Sequence, residues 1–480
     1  MELSKITLDG IRHIHLMGIG GAGMSGLALL LKELGFIVSG CDMSYGFYVN
    51  KVTQAHIDFD IGHNPDHLEK FTPDLVVYSS AIPEDNHELV AARKAGILVA
   101  KRAQVLSAIF DARYGIGVAG THGKTTTSSM ISLILNGAEL EPTVAIGGEL
   151  CDIGCNARLG NGPHMVAELD ESDGSFLSFH PTISVITNVD WDHVNHYPSL
   201  DSVLESFEDF SRNVRTGGAL ILCGEDAGVR RLLKVIPEEC SQTTYGFDDQ
   251  WDWGALDIRY NQGGGVSFIV RKGDHLLGRL ELAVSGDHNV LNALAACAVA
   301  DMLSVPFSVI ATTLRQFQGA KRRLQFKGSL NGIDIYDDYG HHPREVEATL
   351  KAVNQIFPDR SVLVIFQPHR YTRTAAMADE FARVLKGADK VLLLPIYPAD
   401  EEPLTGVTSA LIGDILSQSG HPCFTMLPPG DDVVPQALSM INQGDVVLTI
   451  GAGDVADVGD LLVKSLLRQR STSSLIAVSA

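Results

Sequence analysis

Short apolar stretches alternate along the chain with longer stretches of helical periodicity. Residues 13–17 predict a buried strand, which leads through a glycine-rich turn into a helix expected to end at Gly35. Two further strands are predicted, one ending near Asp42 and the other at the serine pair Ser79 and Ser80. Strands that alternate with helices in this way predict a parallel, doubly wound sheet.

The same alternation restarts at about residue 114 and again after residues 321–328. Each restart brings new apolar strands separated by helical stretches, as expected for another sheet with its own helices. The sequence therefore predicts an α/β protein of three domains. Their expected ranges are 1–112, 113–323 and 324–480.

Composition and charge narrow the classes of function. The chain has 480 residues, of which 45% are hydrophobic and 20% charged, as in ordinary globular proteins. Its formal net charge is -21, and no basic tract offsets this charge. A nucleic-acid binder that works by releasing counterions needs such a tract. We therefore expect small-molecule partners and no nucleic acid.

The cysteines and the apolar stretches bear on location. The seven cysteines are scattered, and the pair Cys151 and Cys155 has no second pair with which to form a zinc site. The apolar stretch GLALLL ends at Lys32 and Glu33, and the start of the chain lacks the apolar core of a signal peptide. These features predict reduced thiols, a cytoplasmic location and no membrane segment.

The first glycine-rich turn has the pattern G-x-G-x-x-G, formed by Gly18, Gly20 and Gly23. Asp42 ends the next predicted strand, where a dinucleotide-binding fold places a ribose-binding acid. Taken alone, the pattern indicates an NAD-dependent oxidoreductase, or a tight turn that needs glycine only for packing. In either case the helix that follows can hold a diphosphate at its amino terminus.

A second glycine-rich stretch, GVAGTHGKTTTSSM at residues 117–130, resembles a phosphate-binding loop. Backbone N–H groups of such a loop cradle phosphates, and a lysine, here Lys124, neutralises them. The Walker A spacing is not met, because Val118 stands where that pattern requires glycine, and Gly120 lies only three residues before Gly123. The stretch is either a compact variant or a glycine turn with a surface lysine.

Acidic residues follow the next predicted strand, at residues 165–169. Asp170, Glu171 and Asp173 should lie beside the glycine loop if the two strands are neighbours in a parallel sheet. Mg²⁺ that bridges nucleotide phosphates takes one or two carboxylates and a loop hydroxyl such as that of Thr125. An acidic run by itself is also typical of a solvated helix start.

The stretch TNVDWDHVNHY adds Asp190, Asp192, His193 and His196 after a further strand. Ligand chemistry favours the aspartates for Mg²⁺, whereas two histidines with an aspartate would suit zinc. Histidines that cap a helix are an equal alternative.

Amide side chains at Asn289 and Asn292 share one face of a predicted helix start. At this spacing they can contact a base or cap the helix.

The last domain has two polar clusters, each after a predicted strand. Two arginines near a strand end suit bidentate binding of a carboxylate or phosphate, and an exposed basic turn is the alternative. The residues of the two clusters are Asp337, Asp338, Tyr339, His341 and His342, and then His369, Arg370 and Arg373.

The order of these motifs resembles that of the Mur ligases, a family of peptidoglycan synthesis, from His13 to about Gly453. The motifs that carry the resemblance are HIHLMGIGGAGMSGLA, VVYSSAIP, GTHGKTTT, AELDESDGSF, ITNVDWDHVNHY, GDHNVLNALAA, DDYGHHPREV and FQPHRYTRT. Mur ligases use G-T-x-G-K-T/S in place of the Walker spacing, which explains the compact loop.

The resemblance implies a Rossmann-like N-terminal domain for the UDP end of the substrate, a central P-loop ATPase domain with a mostly parallel sheet, and a Rossmann-like C-terminal domain for the amino acid. It is strongest to members that join L-alanine to the lactyl carboxylate of UDP-N-acetylmuramate, with ATP as substrate and Mg²⁺ as cofactor. A monomer or dimer is expected.

The resemblance also assigns residues to ligands. The UDP end is implied to contact Gly18, Gly20, Gly21, Gly23, Asp42, Ser79 and Ser80. ATP is implied to contact Gly120, Thr121, His122, Gly123, Lys124, Thr125, Thr126, Asn289, Asn292 and Arg323. One Mg²⁺ is implied at Thr125 and Glu171 and a second at His193. The amino acid is implied to meet Tyr339, His341, Arg370 and Arg373.

The implied reaction transfers the γ-phosphate of ATP to the carboxylate, and the amine of L-alanine then attacks the acyl phosphate. Lys124, His193, His341, Arg370 and Arg373 are the expected catalytic residues. His341 is the candidate base that deprotonates the amine, and the aspartates of DDYGHH are competing candidates. One alternative is a sibling ligase that adds a preformed peptide. Alternatives from other classes are an NAD-dependent oxidoreductase and a nucleotide sensor without turnover.

Overall fold

The structure is a computed structural model of the whole chain. It describes residues 6–147, 156–192, 196–236, 240–261, 264–319, 322–399 and 401–478, with side chains described up to residue 468. The chain forms three sheets, each built from consecutive residues and flanked by helices.

The first sheet has five parallel strands in its described residues, in the order β3-β2-β1-β4-β5. Strand β1 lies at its centre and is buried along nearly its whole length, as expected for a strand covered by helices on both faces. The elements are β1 (His13–Met17), α1 (Ala22–Glu33), β2 (Ile37–Asp42), α2 (Phe47–Gln54), β3 (Asp58–Ile61), α3 (Asp66–Phe71), β4 (Leu75–Tyr78), α4 (His87–Lys94), β5 (Leu98–Lys101) and α5 (Arg102–Asp111).

The second sheet has ten strands within the described ranges, in the order β15-β14-β13-β12-β11-β10-β6-β9-β7-β8. Its first part is β6 (Tyr114–Ala119), α6 (Lys124–Gly137), β7 (Thr143–Ala145), β8 (Ala157–Arg158), β9 (His164–Glu168), β10 (Ile183–Ile186), α7 (Leu200–Arg212), β11 (Ala219–Cys223) and α8 (Ala227–Leu232). Its second part is β12 (Ser241–Gly246), β13 (Trp253–Tyr260), β14 (Val266–Lys272), β15 (His275–Leu282), α9 (Asp287–Met302) and α10 (Phe307–Leu314).

Strands β6, β9, β10, β11 and β12 are parallel, whereas β13 to β15 form an antiparallel extension. Helix α9 lies in the core and is buried on nearly all sides, because its residues from Ala293 to Ala300 are all small or apolar. It packs against α6, the helix that follows the compact glycine loop. The loop therefore rests on a rigid base.

The third sheet has six strands in the part of the chain that the structure describes, ordered β16-β17-β21-β18-β19-β20, with β16 antiparallel to β17. The elements are β16 (Gln325–Leu330), β17 (Ile333–Asp338), α11 (Pro343–Ile356), β18 (Val362–Phe366), α12 (Tyr371–Leu385), β19 (Lys390–Leu393), α13 (Ala410–Gln418), β20 (Phe424–Met426), α14 (Val433–Met440), β21 (Val446–Ile450) and α15 (Val455–Val478).

The predicted α/β organisation with mostly parallel sheets is confirmed. The predicted domain boundaries stay predictions, and they fall between α5 and β6 and between α10 and β16. The antiparallel strands β13 to β15 were not predicted, because an alternating strand in a hairpin lacks the continuous apolar stretch that marked the other strands. Among the described residues, none of the helices combines the length and the apolar character that crossing a bilayer requires.

A test of the central core is the change Phe207→Ala. Phe207 is fully buried on α7, with its ring centroid 5.1 Å from that of Phe176. We expect the free energy of unfolding to fall by about 3–5 kcal/mol, because the truncated side chain leaves a cavity. The measurement is urea denaturation followed by circular dichroism. The control Phe47→Ala, at a ring that is 61% exposed, should shift stability by less than about 0.5 kcal/mol. Equal effects of the two changes would contradict this description of the core.

Candidate active site

The compact glycine loop connects the end of β6 to the start of α6. Gly120 has a φ of 131° and Gly123 a φ of 81°, in the region that favours glycine. A Cβ atom on Gly120 would lie 2.1 Å from Thr187 Oγ1, and one on Gly123 would lie 2.9 Å from Asn292 Oδ1. Both glycines are therefore required for the loop to lie this close to its neighbours.

Lys124 lies at the base of this loop, with only 12% of its side chain exposed. Its Nζ donates to the carbonyl oxygen of Gly120 at 2.6 Å and contacts Glu171 Oε2 at 2.7 Å. Burial alone would lower the pKa of Lys124, but the carboxylates of Glu171, Asp170 and Glu168 outweigh it and raise the pKa. The loop therefore holds a fixed positive charge where a phosphate would lie.

Thr125 faces Glu168, a residue that the sequence analysis did not select. Its hydroxyl donates to Glu168 Oε2 at 2.9 Å and to Oε1 at 3.1 Å. Glu168 is the last residue of β9 and pairs in register with Val118 of β6, so its side chain lies beside the loop. The family resemblance implied Glu171 at Thr125 instead, but Glu171 lies beyond the strand end, where its Oε2 contacts Lys124.

Glu168 was missed because it was taken as part of an apolar strand. A signal was present, since it is the acidic last residue of a strand whose preceding three residues are fully buried. Burial raises the pKa of Glu168, and Lys124 lowers it in part. The role of Glu171 as a metal ligand stays a prediction, and the geometry favours Glu168 for the carboxylate next to Thr125.

A cavity of about 640 Å³ lies above the loop and is lined by all three domains. The N-terminal domain contributes Ala22 and Tyr48. The central domain contributes Thr121, His122, Gly123, Lys124, Thr125, Gly147, Glu168, Asp170 and Asp192, and the C-terminal domain side contributes Arg322, Arg323, Gln325, Tyr339, His341 and Glu345. Residues predicted to contact ATP and residues predicted to contact the amino acid therefore share one space.

A smaller cavity, of about 200 Å³, lies between α1 and the central domain. Gly23 and Arg102 line it from the N-terminal side, and Glu168 and Asp170 line it from the central side. Glu168 and Asp170 also border the large cavity. The carboxylates at the end of β9 therefore separate the glycine loop of the first domain from that of the second.

A third cavity, of about 280 Å³, lies on the other side of the compact loop. His122, Gly123, Thr126, Asn292 and Arg323 are among the residues that line it. Its mixture of amide, apolar and aromatic groups suits a nucleoside.

The two predicted amide residues are held in different ways. Asn292 lines the third cavity, where its Oδ1 accepts from Thr127 Oγ1 at 3.1 Å and its Nδ2 donates to Asn289 Oδ1 at 3.3 Å. Asn289 in turn donates to the carbonyl oxygen of Ser285 at 2.7 Å. Asn289 therefore orients Asn292 and does not line this cavity itself.

His122 connects the loop to the C-terminal domain. Its Nδ1 lies 3.5 Å from Glu345 Oε1, its Nε2 lies 3.8 Å from Asp190 Oδ2, and its ring centroid is 4.8 Å from that of His342. Burial alone would lower the pKa of His122, but the carboxylates of Asp190 and Glu345 outweigh it and raise the pKa to about 9. A protonated His122 between two acids therefore stabilises the contact between these two domains.

Glu345 was also missed by the sequence analysis. It lies in the first turn of α11, where Oε2 accepts the backbone N–H of His341 at 3.0 Å, and its Oε1 lies 3.2 Å from Arg323 Nη1. The sequence does contain a signal for Glu345, because it lies three residues after His342, which is the spacing of a capping box.

Burial lowers the pKa values of His341 and His369, two neighbouring histidines of the C-terminal domain. His341 lines the large cavity, and burial lowers its pKa to about 4. Its ring packs against those of Tyr339 and His369, with centroids 5.2 Å and 5.5 Å away. Burial and the positive charges nearby lower the pKa of His369 to about 3. At neutral pH both imidazoles can accept a proton.

The two predicted arginines differ in their surroundings. Arg373 is buried on α12, and its Nη2 donates to both carboxylate oxygens of Asp192, at 2.9 Å and 3.2 Å. Arg370 caps the same helix with a φ of 73°, and its backbone N–H donates to the carbonyl oxygen of Tyr397 at 2.8 Å. Its half-buried side chain lies closer to solvent than that of Arg373.

The glycine turn of the first domain is closed by Asp42, whose Oδ2 accepts the N–H of Gly20 at 2.8 Å. Gly18 has a φ of 79°, and the N–H of Gly21 donates to its carbonyl oxygen at 3.2 Å. Gly23 faces the guanidinium of Arg102, which would lie 3.1 Å from a Cβ atom at that position. The turn can therefore approach a ligand through its backbone.

Two further predicted residues, Ser79 and Ser80, lie apart from the large cavity. Ser79 follows β4, where its hydroxyl accepts the N–H of Ala81 at 3.3 Å. Ser80 lines a separate small cavity with Lys101 and Arg102. His193 lies outside the described residues.

Comparison with known proteins extends this description to the whole chain. The family model described as "Mur ligase family, catalytic domain" matches residues 13–114. The "Mur ligase middle domain" matches residues 118–300, and the "Mur ligase, glutamate ligase domain" matches residues 322–453.

Two curated relatives are named UDP-N-acetylmuramate--L-alanine ligase. The protein of Geotalea daltonii is 42% identical over 95% of this chain and 98% of its own length. That of Sorangium cellulosum is 43% identical over 93% of this chain and 94% of its own length.

Two solved structures have the same architecture. The UDP-N-acetylmuramate-alanine ligase MurC of Thermotoga maritima has a TM-score of 0.77 at 29% identity and covers 96% of this chain and 100% of its own. A murein peptide ligase of Psychrobacter arcticus has a TM-score of 0.69 at 26% identity and covers 95% of this chain and 98% of its own. With three family models in order and relatives above 40% identity over nearly the full length, the chain belongs to the Mur ligase family.

Proposed function

We propose that this chain is an ATP-dependent ligase that joins L-alanine to the lactyl carboxylate of UDP-N-acetylmuramate, with release of ADP and phosphate, in the synthesis of peptidoglycan precursors. The observation that carries the proposal is the shared cavity, which brings together the charged Lys124, the carboxyl group of Glu168 and the neutral His341 from different elements of the site. The curated relatives at more than 40% identity bear the name of this activity.

The positions of the cavities support a spatial arrangement of the substrates along the site. The UDP end would lie on the glycine turn of the first domain, with the lactyl carboxylate reaching past Gly23 toward Glu168 and Asp170. The nucleoside of ATP would occupy the cavity lined by Asn292, with its phosphates on the compact loop. The γ-phosphate and the carboxylate would then meet in the large cavity.

A carboxylate does not react with an amine until its oxygen becomes part of a leaving group. Transfer of the γ-phosphate to the carboxylate makes an acyl phosphate, and attack by the amine gives a tetrahedral intermediate that expels phosphate. Lys124 stabilises negative charge on the transferring phosphoryl group, because it is a fixed cation that needs no reorganisation. Closure of three domains around the cavity would exclude water, which would otherwise hydrolyse the acyl phosphate.

The residues around Thr125 fit Mg²⁺. A hydroxyl beside a carboxylate, with Asp170 on the same cavity wall, provides the hard oxygen donors that Mg²⁺ binds together with nucleotide phosphates. When bound, Mg²⁺ would neutralise charge on the phosphates. We propose Thr125 and Glu168 as its protein ligands. A second metal at His193 stays a prediction from the resemblance.

The amino acid would enter from the C-terminal domain. Arg370 is our candidate for its carboxylate, because the guanidinium of Arg373 already binds Asp192. The amine must lose a proton before it attacks, and the neutral His341 is in the cavity to accept it. We propose that the enzyme works in the cytoplasm, as a monomer or a dimer, and needs no nucleic acid.

The main rival is a sibling that adds a preformed peptide, since the Psychrobacter arcticus ligase shares the fold. It is less similar to this chain than the curated alanine ligases are. An NAD-dependent enzyme would leave Lys124 and its acidic neighbours without a role.

The first prediction tests the reaction itself. With ATP, Mg²⁺ and UDP-N-acetylmuramate, phosphate release should depend on added L-alanine and should not be supported by a tripeptide. Lys124→Ala should lower the rate by at least about 10²–10³-fold, because it removes the fixed charge at the phosphates. The matched control is Lys386→Ala, at an exposed lysine of the C-terminal domain. Equal release without alanine, or turnover with the tripeptide alone, would overturn the proposed acceptor.

The second prediction distinguishes the two glutamates. Glu168→Gln should raise the Mg²⁺ concentration needed for half-maximal activity by roughly 10-fold or more, because it weakens a charged metal ligand. Glu171→Gln should leave that concentration nearly unchanged, since Glu171 binds Lys124. The measurement is a Mg²⁺ titration of the initial rate at saturating ATP. The reverse pattern would favour Glu171 as the ligand.

The third prediction concerns the amino acid. Arg370→Lys should raise the KM for L-alanine roughly 10-fold, because lysine keeps the charge but cannot bind a carboxylate through two parallel N–H bonds. The KM for ATP should not change. Arg383→Lys, at an exposed arginine of the same helix, is the matched control. Unchanged KM for L-alanine in Arg370→Lys would remove Arg370 from the amino-acid site.

A further inference from the structure

A second group of titratable side chains lies inside the N-terminal domain, away from the cavities described above. It combines two imidazoles, one thiol and one carboxylate, all buried, whose ligand atoms lie within 4.8 Å of one another. We call it the histidine–thiol cluster. Its members are His15 on β1, Cys41 on β2, His67 on α3 and Glu88 on α4.

The distances in this cluster are close to those of a tetrahedral metal site. Glu88 lies at its centre, with Oε1 3.1 Å from His15 Nε2 and 3.2 Å from His67 Nδ1, and with Oε2 3.5 Å from Cys41 Sγ. Zn²⁺ holds nitrogen and oxygen at about 2.0–2.2 Å and sulfur at about 2.3 Å, which separates its ligand atoms by about 3.3–3.8 Å. The Glu88 carboxylate would have to turn away from the centre to make room for the ion and become one of its ligands.

The outer nitrogen of His15 is held in the manner of a metal ligand, whereas that of His67 faces a carboxylate from beyond hydrogen-bond distance. His15 Nδ1 lies 2.9 Å from Ser39 Oγ, and His67 Nε2 lies 3.7 Å from Asp60 Oδ2. A ligating histidine commonly directs its second ring nitrogen to a hydroxyl, carboxylate or carbonyl, which fixes the tautomer and leaves the inner nitrogen free to bind. Here the inner nitrogens point toward Glu88.

One buried atom of the cluster has no hydrogen bond. His15 is fully buried, and within the described residues its Nε2 has no hydrogen-bond partner, although it lies close to Glu88 Oε1. Because its contact with Glu88 lacks the geometry of a hydrogen bond, a bound ion would satisfy this buried nitrogen better. This atom is directed into the cluster.

We propose that the histidine–thiol cluster binds one Zn²⁺ ion, separate from the Mg²⁺ that the ligase reaction would use. A thiol with two imidazoles and a carboxylate is a borderline-soft donor set that suits Zn²⁺ and not Mg²⁺. His63, whose Nδ1 lies 3.2 Å from Cys41 Sγ, is adjacent to the cluster and is available as a further ligand.

The ion would stabilise the glycine turn of the first domain. The carbonyl oxygen of Cys41 accepts the N–H groups of Gly18 at 2.8 Å and Ile19 at 3.1 Å. A metal bond to the Cys41 side chain would therefore fix the strand end on which the turn is built. It would also connect β1 and β2 to α3 and α4.

The test uses the full-length protein, stripped with a chelator, reduced and titrated with Co²⁺, which replaces Zn²⁺ and is coloured. We expect one equivalent to bind, with a thiolate-to-cobalt band in the near ultraviolet that added Zn²⁺ abolishes. Zn²⁺ should remain at one ion per chain after gel filtration, measured by mass spectrometry of the metal, and should raise the melting temperature by several degrees. Absence of the thiolate band in the wild-type protein would overturn the proposal.

Variants identify the site. Cys41→Ser should remove the near-ultraviolet band and weaken Zn²⁺ binding by at least about 10-fold, whereas Cys297→Ser and the double change Cys151→Ser, Cys155→Ser should retain both. His67→Ala, at the edge of the cluster, should weaken binding with little loss of fold and covers the case in which Cys41→Ser fails to fold. The other group of potential metal ligands, His122, Asp190 and His342, contains no thiol. Co²⁺ bound there would therefore give no thiolate-to-cobalt band. A band that survives in both Cys41→Ser and His67→Ala would also overturn the assignment.

Discussion

The site depends on the burial of one lysine. Lys124 lies at the base of the compact loop with its ammonium group away from water, and an isolated charge in that position would be strongly unfavourable. Carboxylates at the end of the neighbouring strand balance it, and they lie close enough only because β9 pairs with β6 in parallel register. The positive charge of the loop therefore requires this arrangement of the strands.

The same carboxylates bring the cavity beside α1 next to the cavity above the compact loop. Glu168 and Asp170 border both the cavity of the compact loop and the cavity beside α1. Three acids near one lysine leave negative charge that a divalent cation can neutralise, which is the physical reason for expecting Mg²⁺ here. A substrate carboxylate approaching from α1 would need that cation as much as the phosphates do.

Paired charges also form the contacts between the central and C-terminal domains. His122 of the central domain lies between Asp190 and Glu345, and Arg344 Nε lies 2.6 Å from Asp190 Oδ2. Arg373 binds Asp192 across the same boundary. These polar contacts can exchange partners when ligands enter, unlike an apolar interface. The charges on the facing surfaces therefore allow the central and C-terminal domains to move relative to each other.

The sequence by itself determined the three α/β domains and the compact loop, and the order of its motifs indicated the Mur ligase family. These follow from local causes, since apolar strands, glycine turns and helix starts are set by residues that are close in the chain. Lys124 and Gly120 were found because the glycine and lysine spacing of the loop marks them in the local sequence. Tertiary structure alone decided which carboxylate meets Thr125, because strand register places Glu168, not Glu171, beside that hydroxyl. It alone brought together His15, Cys41, His67 and Glu88, which lie on four elements far apart in the chain, where no local pattern marks them.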